Sequence, residues 1–271
     1  MHCLLKGHSR SLARCKTVNL VTFLLLRPQS KCQKSAAAFK QAGLPVVACG
    51  LIDTVVDDDA IGQLTSKIAK LHSSIAKSHY VIVTSTVAAK QCVLMKNQWP
   101  QNVCFFAVGN STADILIDAG VNVIVPQQPR TEGLLALTML KQVKQQSIVI
   151  MKGYGGRELL RDSLVSRGAH VAEWEVYKRV RVAHPVSTQD WQAKQIRCII
   201  ATSGEVIQAA FDYFDTSWLK TLNWIVVSER TAEIASKQGA TQIEISRDAS
   251  DLALIQCAQQ WLSGARHSSE Q

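Results

Sequence analysis

Long apolar runs are missing from this 271-residue sequence. The best candidate, residues 20–26, is ended after about seven residues by Arg27-Pro28-Gln29, far short of the ~18 that a membrane helix needs. It follows Lys6, Arg10, Arg14 and Lys16, as in a secretion signal, but no small-x-small cleavage site comes after it. Residues 1–22 are read instead as a leader without a partner in the fold, disordered or belonging to an upstream start. Aromatic residues are scarce, at 6%, and no basic run interleaves with them. The net charge of +9 implies attraction to an anion, whether nucleic acid, membrane surface or an acidic small molecule, and no nucleic-acid-binding signature appears. A basic charge without special purpose stays open.

The eight cysteines, at 3, 15, 32, 49, 92, 104, 198 and 257, form no C-x-x-C pair and no cluster with zinc spacing. They read as reduced, mostly buried thiols in a reducing compartment, with cytoplasm as the default. Dinucleotide fingerprint, P-loop, G-x-S-x-G elbow and H-E-x-x-H are all lacking, which removes the common nucleotide, hydrolase and metal chemistries. None of the seven histidines sits in a motif; His170 and His184 read as surface residues. Asp57-Asp58-Asp59 reads as the acidic start of a helix rather than a metal site.

What is present is alternation of strand and helix patterns. Residues 148–151 are a short β-branched run, followed by the glycine turn Lys152-Gly153-Tyr154-Gly155-Gly156 and then Arg157. Leu159, Leu160, Leu164 and Val165 recur on one helical face that Gly168 caps, after which Val171, Trp174, Val176 and Tyr177 resume an extended pattern. Strand, turn, helix, strand is a βαβ-type unit, and its loop is where a doubly wound sheet binds ligands. A glycine turn with one arginine is also compatible with a purely structural role.

The sequence repeats itself. Val81-Ile82-Val83-Thr84-Ser85 recurs as Ile199-Ile200-Ala201-Thr202-Ser203, and residues 106–120 recur as 225–239, both roughly 118 positions on. Residues 23–43 likewise mirror 148–168. The predicted fold is therefore α/β, with two similar parallel-sheet domains facing each other across a cleft. Thr84-Ser85, Thr112, Thr202-Ser203 and Thr231 fall at equivalent strand ends, where hydroxyls cap helix N–H groups. Each one is either a plain cap or part of an anion site; four together fit an anion held between domains. Tyr177 is either a buried structural tyrosine or a phenol able to donate a proton without a cofactor.

The set Val83-Thr84-Ser85, Ala107-Val108-Gly109-Asn110-Ser111-Thr112-Ala113, Thr131-Glu132-Gly133-Leu134, Gly153-Tyr154-Gly155-Gly156-Arg157-Glu158-Leu159-Leu160, Val176-Tyr177-Lys178-Arg179, Thr202-Ser203 and Thr231-Ala232 resembles the uroporphyrinogen-III synthase family. The likeness runs over residues 23–262 and rests on the order and spacing of the motifs. It implies two α/β domains joined by a two-stranded linker: residues 23–48 with 180–264, and residues 54–172, with linker strands at 49–53 and 173–179 and a tail at 265–271. It implies a cyclising lyase of haem biosynthesis, which closes hydroxymethylbilane with loss of water and inversion of ring D. Such an enzyme acts as a monomer without metal or organic cofactor. By position in the motifs, Tyr177 would be the acid. Thr84, Ser85, Asn110, Ser111, Thr112, Lys152, Gly153, Arg157, Thr202, Ser203 and Thr231 would bind substrate. The competing class is a non-catalytic two-domain binder of an acidic metabolite, which would share the duplicated cleft and the capped helices.

Overall fold

The computed structural model describes residues 21–72, 79–156, 158–190 and 195–268. The leader through residue 20, Arg157 and the last three residues of the tail lie outside the described residues. The chain opens with β1 (Thr22–Pro28), α1 (Gln29–Gln41), β2 (Val46–Val56), α2 (Asp58–Gly62) and α3 (Leu64–His72). Next come β3 (His79–Val83), α4 (Thr86–Leu94), β4 (Val103–Ala107), α5 (Asn110–Asp118), β5 (Val123–Ile124), α6 (Thr131–Ala136) and α7 (Thr138–Lys141). Then follow β6 (Ser147–Gly153), α8 (Leu159–Ser166), the long β7 (His170–Ser187) and β8 (Ile196–Ala201). The last elements are α9 (Gly204–Tyr213), α10 (Thr216–Lys220), β9 (Asn223–Val226), α11 (Glu229–Lys237), β10 (Gln242–Ile245) and α12 (Asp251–Ser268). Gly43 and Gly168 close their helices in the left-handed region, at φ +73° and +83°, where only glycine avoids a steric penalty.

The chain packs into two compact units. Of the described residues, one unit holds 21–27, Lys31–Gly50 and those from Pro185; the other holds Pro28–Ser30 and those within Leu51–His184. Apart from those around Pro28–Ser30, where β1 passes into α1, the boundaries fall inside β2 and inside β7.

In the second unit the strands run in the order β7-β6-β3-β4-β5, and each neighbouring pair is parallel. Strand residues alternate between two cores, as the pleat requires. Val81, Val83, Phe105, Ala107, Val149 and Met151 join one cluster with α4 and α5. Ile82, Phe106, Ile148 and Ile150 join another with Leu134, Leu160 and Leu164 of α6 and α8. Burial on both faces explains why these strands read as continuous apolar runs instead of alternating ones. Trp99 stacks on Trp174 with ring centroids 5.8 Å apart.

In the first unit the order is β10-β9-β8-β1-β2, parallel from β10 through β1. Phe23, Leu25, Cys198, Ile200 and Ile225 meet Phe39 of α1 and Leu254 and Ala258 of α12. Both orders contain one point where the winding reverses: β3 against β6 in the second unit, and β1 against β8 in the first. Ligands bind beyond the carboxyl ends of strands at such points.

Candidate active site

The second unit gathers most of the sequence-predicted residues along one edge of its sheet. Val83 is in register with both Ala107 and Met151, and Gly153 is in register with Tyr177. Residues following β3 and β4 and ending β6 therefore emerge side by side. At the reversal point the Thr84 hydroxyl donates to the Met151 carbonyl at 3.1 Å, which fixes the start of the β3–α4 loop against β6. Ser85 caps α4 by accepting from the Ala88 N–H at 3.1 Å. The helix that follows β4 differs. Its N-cap is Gly109, which has no side chain to offer, so the first-turn N–H groups of α5 have no side-chain cap. Asn110 and Ser111 stand exposed on that turn, while Thr112 is buried beneath it.

Tyr177 owes its placement to a bulge and a glycine. The register of β6 against β7 shifts between Lys152 and Gly153, so that Lys152 pairs with Glu175 and Gly153 with Tyr177. The extra residue, Val176, is fully buried, and so is most of Tyr177, at 0% and 8% exposure. Two consecutive buried side chains break the strand's alternation, the usual effect of a bulge that re-aims a side chain. The Tyr177 ring then lies over Gly153, close enough that a Cβ there would sit 2.5 Å from the ring's Cε2 and Cζ and 2.9 Å from its Oη.

The glycine turn is tied to β7 around this ring. Tyr154 N–H donates to the Tyr177 carbonyl at 2.8 Å, and Gly155 N–H donates to Glu175 Oε1 at 3.1 Å. The Tyr154 hydroxyl donates to Asp57 Oδ2 at 2.9 Å. Asp57 caps α2 by accepting from the Ala60 N–H at 3.0 Å, and its own N–H donates to the Val176 carbonyl at 3.1 Å. The Ala60 N–H, then the Tyr154 hydroxyl, hold the Asp57 carboxyl below its usual range; the same bond to Asp57 raises the Tyr154 phenol. Lys152 is engaged by Glu173 at 2.8 Å, and Arg161 approaches the same carboxylate at 4.0 Å.

The first unit repeats the device in a more closed form. At its reversal point the Thr202 hydroxyl donates to the Leu26 carbonyl at 3.5 Å, as Thr84 does to Met151. Ser203 caps α9 through the Val206 N–H at 3.3 Å. Ser228 and Thr231 form a capping box on α11, and the Thr231 hydroxyl also donates to the Ser228 carbonyl at 2.7 Å. That hydroxyl is thus occupied within its own turn. Arg27, buried at the end of β1, is bound by Asp251, by Ser35 Oγ at 2.8 Å and by the Ala249 carbonyl at 2.9 Å.

The profile of the family described as "Uroporphyrinogen-III synthase HemD" matches residues 33–256. The uroporphyrinogen-III synthase of Escherichia coli is 31% identical over 208 residues, which cover 73% of this chain and 83% of that protein. This chain belongs to the uroporphyrinogen-III synthase family. The fold agrees. A crystal structure of a mutant uroporphyrinogen III synthase from Thermus thermophilus superposes with a TM-score of 0.58 at 13% identity, over 91% of this chain and 100% of that one. The Helicobacter pylori synthetase gives 0.55 at 16% identity, over 90% and 99%.

A uroporphyrinogen-III synthase is an enzyme, and the binding-protein alternative loses its support. Within the second unit, Thr84, Ser85, Asn110, Ser111, Thr112, Lys152, Gly153 and Tyr177 lie on one sheet edge; Arg157 lies outside the described residues. Thr202, Ser203 and Thr231 lie on the corresponding edge of the first unit. Sequence reasoning missed Asp57 as a partner of Tyr154, and Glu173 and Glu175 as partners of Lys152 and Gly155. Among the described residues, no group of three or more His, Cys, Asp or Glu could hold a metal ion, and no helix is long and apolar enough to cross a membrane.

Proposed function

We propose that this synthase cyclises hydroxymethylbilane to uroporphyrinogen III with Tyr177 as the proton donor, at the carboxyl edges of two duplicated α/β domains joined by two strands. The observation that carries the reading is the lodging of the Tyr177 ring over Gly153, at the carboxyl edge of the same parallel sheet whose β4 leads into the open first turn of α5. The substrate bears eight carboxylates, which suit a basic chain and free helix N–H groups. The uncapped turn at Asn110 and Ser111 is the best-suited anchor. Thr84, Ser85 and Thr112 shape its surroundings, and Thr202, Ser203 and Thr231 serve the corresponding edge of the first unit. Lys152, which is paired with Glu173, and Arg157, by its place in the family motif, complete the proposed substrate-binding set.

In the proposed reaction the terminal C–O bond breaks as the departing hydroxide takes a proton from Tyr177 Oη and leaves as water. The resulting azafulvenium cation is attacked by the substituted carbon of ring D, giving a spiro intermediate whose rearrangement inverts that ring, and the proton released from ring D on final closure restores the Tyr177 phenol. The chemistry calls on no metal or organic cofactor, and one chain in the cytoplasm suffices for it. Holding the flexible chain folded supplies the rest of the acceleration, because the spontaneous closure on the unsubstituted carbon is otherwise faster. The shared strand order of the two units, and the matching Thr84 and Thr202 bonds across each reversal point, support the duplication.

The test is a coupled assay in which hydroxymethylbilane is generated in place and the porphyrin isomers are separated after oxidation. Isomer III with the wild type and a fall of roughly 10²-fold or more with Tyr177→Phe are expected. Wild-type turnover by Tyr177→Phe refutes the donor role; isomer I alone from folded wild-type protein refutes the reaction.

A further inference from the structure

We infer that Asp57 and Tyr154 form a clasp that positions Tyr177 for proton donation, an inference that rests on the reading of Tyr177 as donor. Three hydrogen bonds bind β7 to its neighbours around this residue, and a fourth joins those neighbours to each other. Asp57 N–H holds the carbonyl before Tyr177, Tyr154 N–H holds the carbonyl of Tyr177 itself, and the Tyr154 hydroxyl closes the circuit on Asp57 Oδ2. Glu175 adds the bond to Gly155 N–H. The circuit therefore encloses the peptide units on either side of Tyr177, directly after the bulge that aims its ring.

A bulge has no regular ladder to keep it in register, so its direction depends on such local ties. The backbone ties alone leave the turn free to pivot, since Gly155 and Gly156 both lie in the left-handed region, at φ +69° and +92°. The Tyr154 side chain is half exposed and buries little apolar surface, so its hydroxyl bond has little to do with overall stability. What it fixes is the distance between the turn and the start of α2. Asp57 also cannot be exchanged freely, because its other oxygen caps α2.

The experiment is a double-mutant cycle with Tyr154→Phe, Tyr177→Phe and the double variant, read by kcat, KM, isomer ratio and melting temperature. Tyr154→Phe is expected to lower kcat about 10-fold, within the ~10²-fold that a 1 Å misplacement causes. KM and melting temperature stay within error of the wild type. In the Tyr177→Phe background the second substitution adds nothing, because the residue it positions is gone. Asp57→Asn retains the α2 cap and can donate from Nδ2 to the Tyr154 oxygen, so it loses less than Asp57→Ala. An additive cycle, an unchanged Tyr154→Phe, or a kcat loss matched by a fall in melting temperature each overturn the clasp while leaving an impaired Tyr177→Phe standing. A fully active Tyr177→Phe overturns the donor reading and the clasp with it.

Discussion

Replacing Gly153 by alanine probes the seat of the Tyr177 ring with a single methyl group. The added Cβ would lie 2.5 Å from two ring carbons. Carbon atoms settle at about 3.5–4.0 Å, so the ring must retreat by roughly 1 Å or more. Retreat is obstructed, since Tyr177 is packed in one cluster with Val176, Trp174 and Met151. Overpacking of this kind costs about 1–3 kcal/mol, and the lower unfolded-state entropy of alanine returns about 0.4–1. A net loss of about 1–2 kcal/mol is expected, or ~3–6 °C in melting temperature. Near-UV circular dichroism during a urea titration reports the packing, and the coupled isomer assay reports the ring's reach. Activity should fall more than stability does, because the displaced atom is the proposed donor. Wild-type stability together with wild-type turnover would refute the seat described here; a stability loss with intact turnover would detach the seat from catalysis.

Three further outcomes follow from the packing. Asp251→Ala leaves the Arg27 guanidinium buried without its carboxylate and should cost about 3 kcal/mol in a urea titration, and a change under 1 kcal/mol would show the arginine is neutralised elsewhere. Ser228→Ala removes the capping box of α11 and should cost ~1 kcal/mol, with faster amide exchange confined to the first turn of that helix as the local readout. Burial pushes the Cys32 thiol up to about 11 and those of Cys49 and Cys92 up to about 12, so native protein at pH 8 should leave all three unmodified by a thiol reagent, by peptide mapping. The folded state holds these protons more tightly than the unfolded chain does. Their contribution is therefore complete below pH 9 and is lost between about pH 9 and 12, which a urea midpoint series would follow.

The strands and their order of types were legible because a parallel sheet covered on both faces leaves unbroken apolar runs, as in Val81-Ile82-Val83 and Ile199-Ile200. Helix ends were legible where backbone conformation demands one residue type, at Gly43 and Gly168. Ser85 and Ser203 were legible as caps, since the hydroxyl acts on its own turn. The side-chain partners were not. Tyr154 and Asp57 stand 97 positions apart, and no local pattern encodes their bond. The bulge before Tyr177 escaped because periodicity assumes a regular register, and β7 loses its own at that point. Lys152 and Thr231 show the same limit from the other side. Their residue types suit an anion, yet one is held by Glu173 and the other by its own capping box, which only the geometry reveals.

The pairing of β1 with β8 bears on how the chain folds during synthesis. Thr22 sits opposite Ile196, so the first strand must wait for most of the chain to be made before its neighbour exists. Leu51–His184 forms nearly all of the other unit and can close on itself in the meantime. Until then Phe23, Leu24, Leu25 and Leu26, all fully buried in the finished protein, lack one of the two strands that shelter them. The long loop costs little in equilibrium entropy but much in waiting time, and during that wait an uncovered strand edge is a template for aggregation. Chains interrupted before residue 196 should accordingly depend on chaperones to stay in solution, even though their contiguous unit is complete.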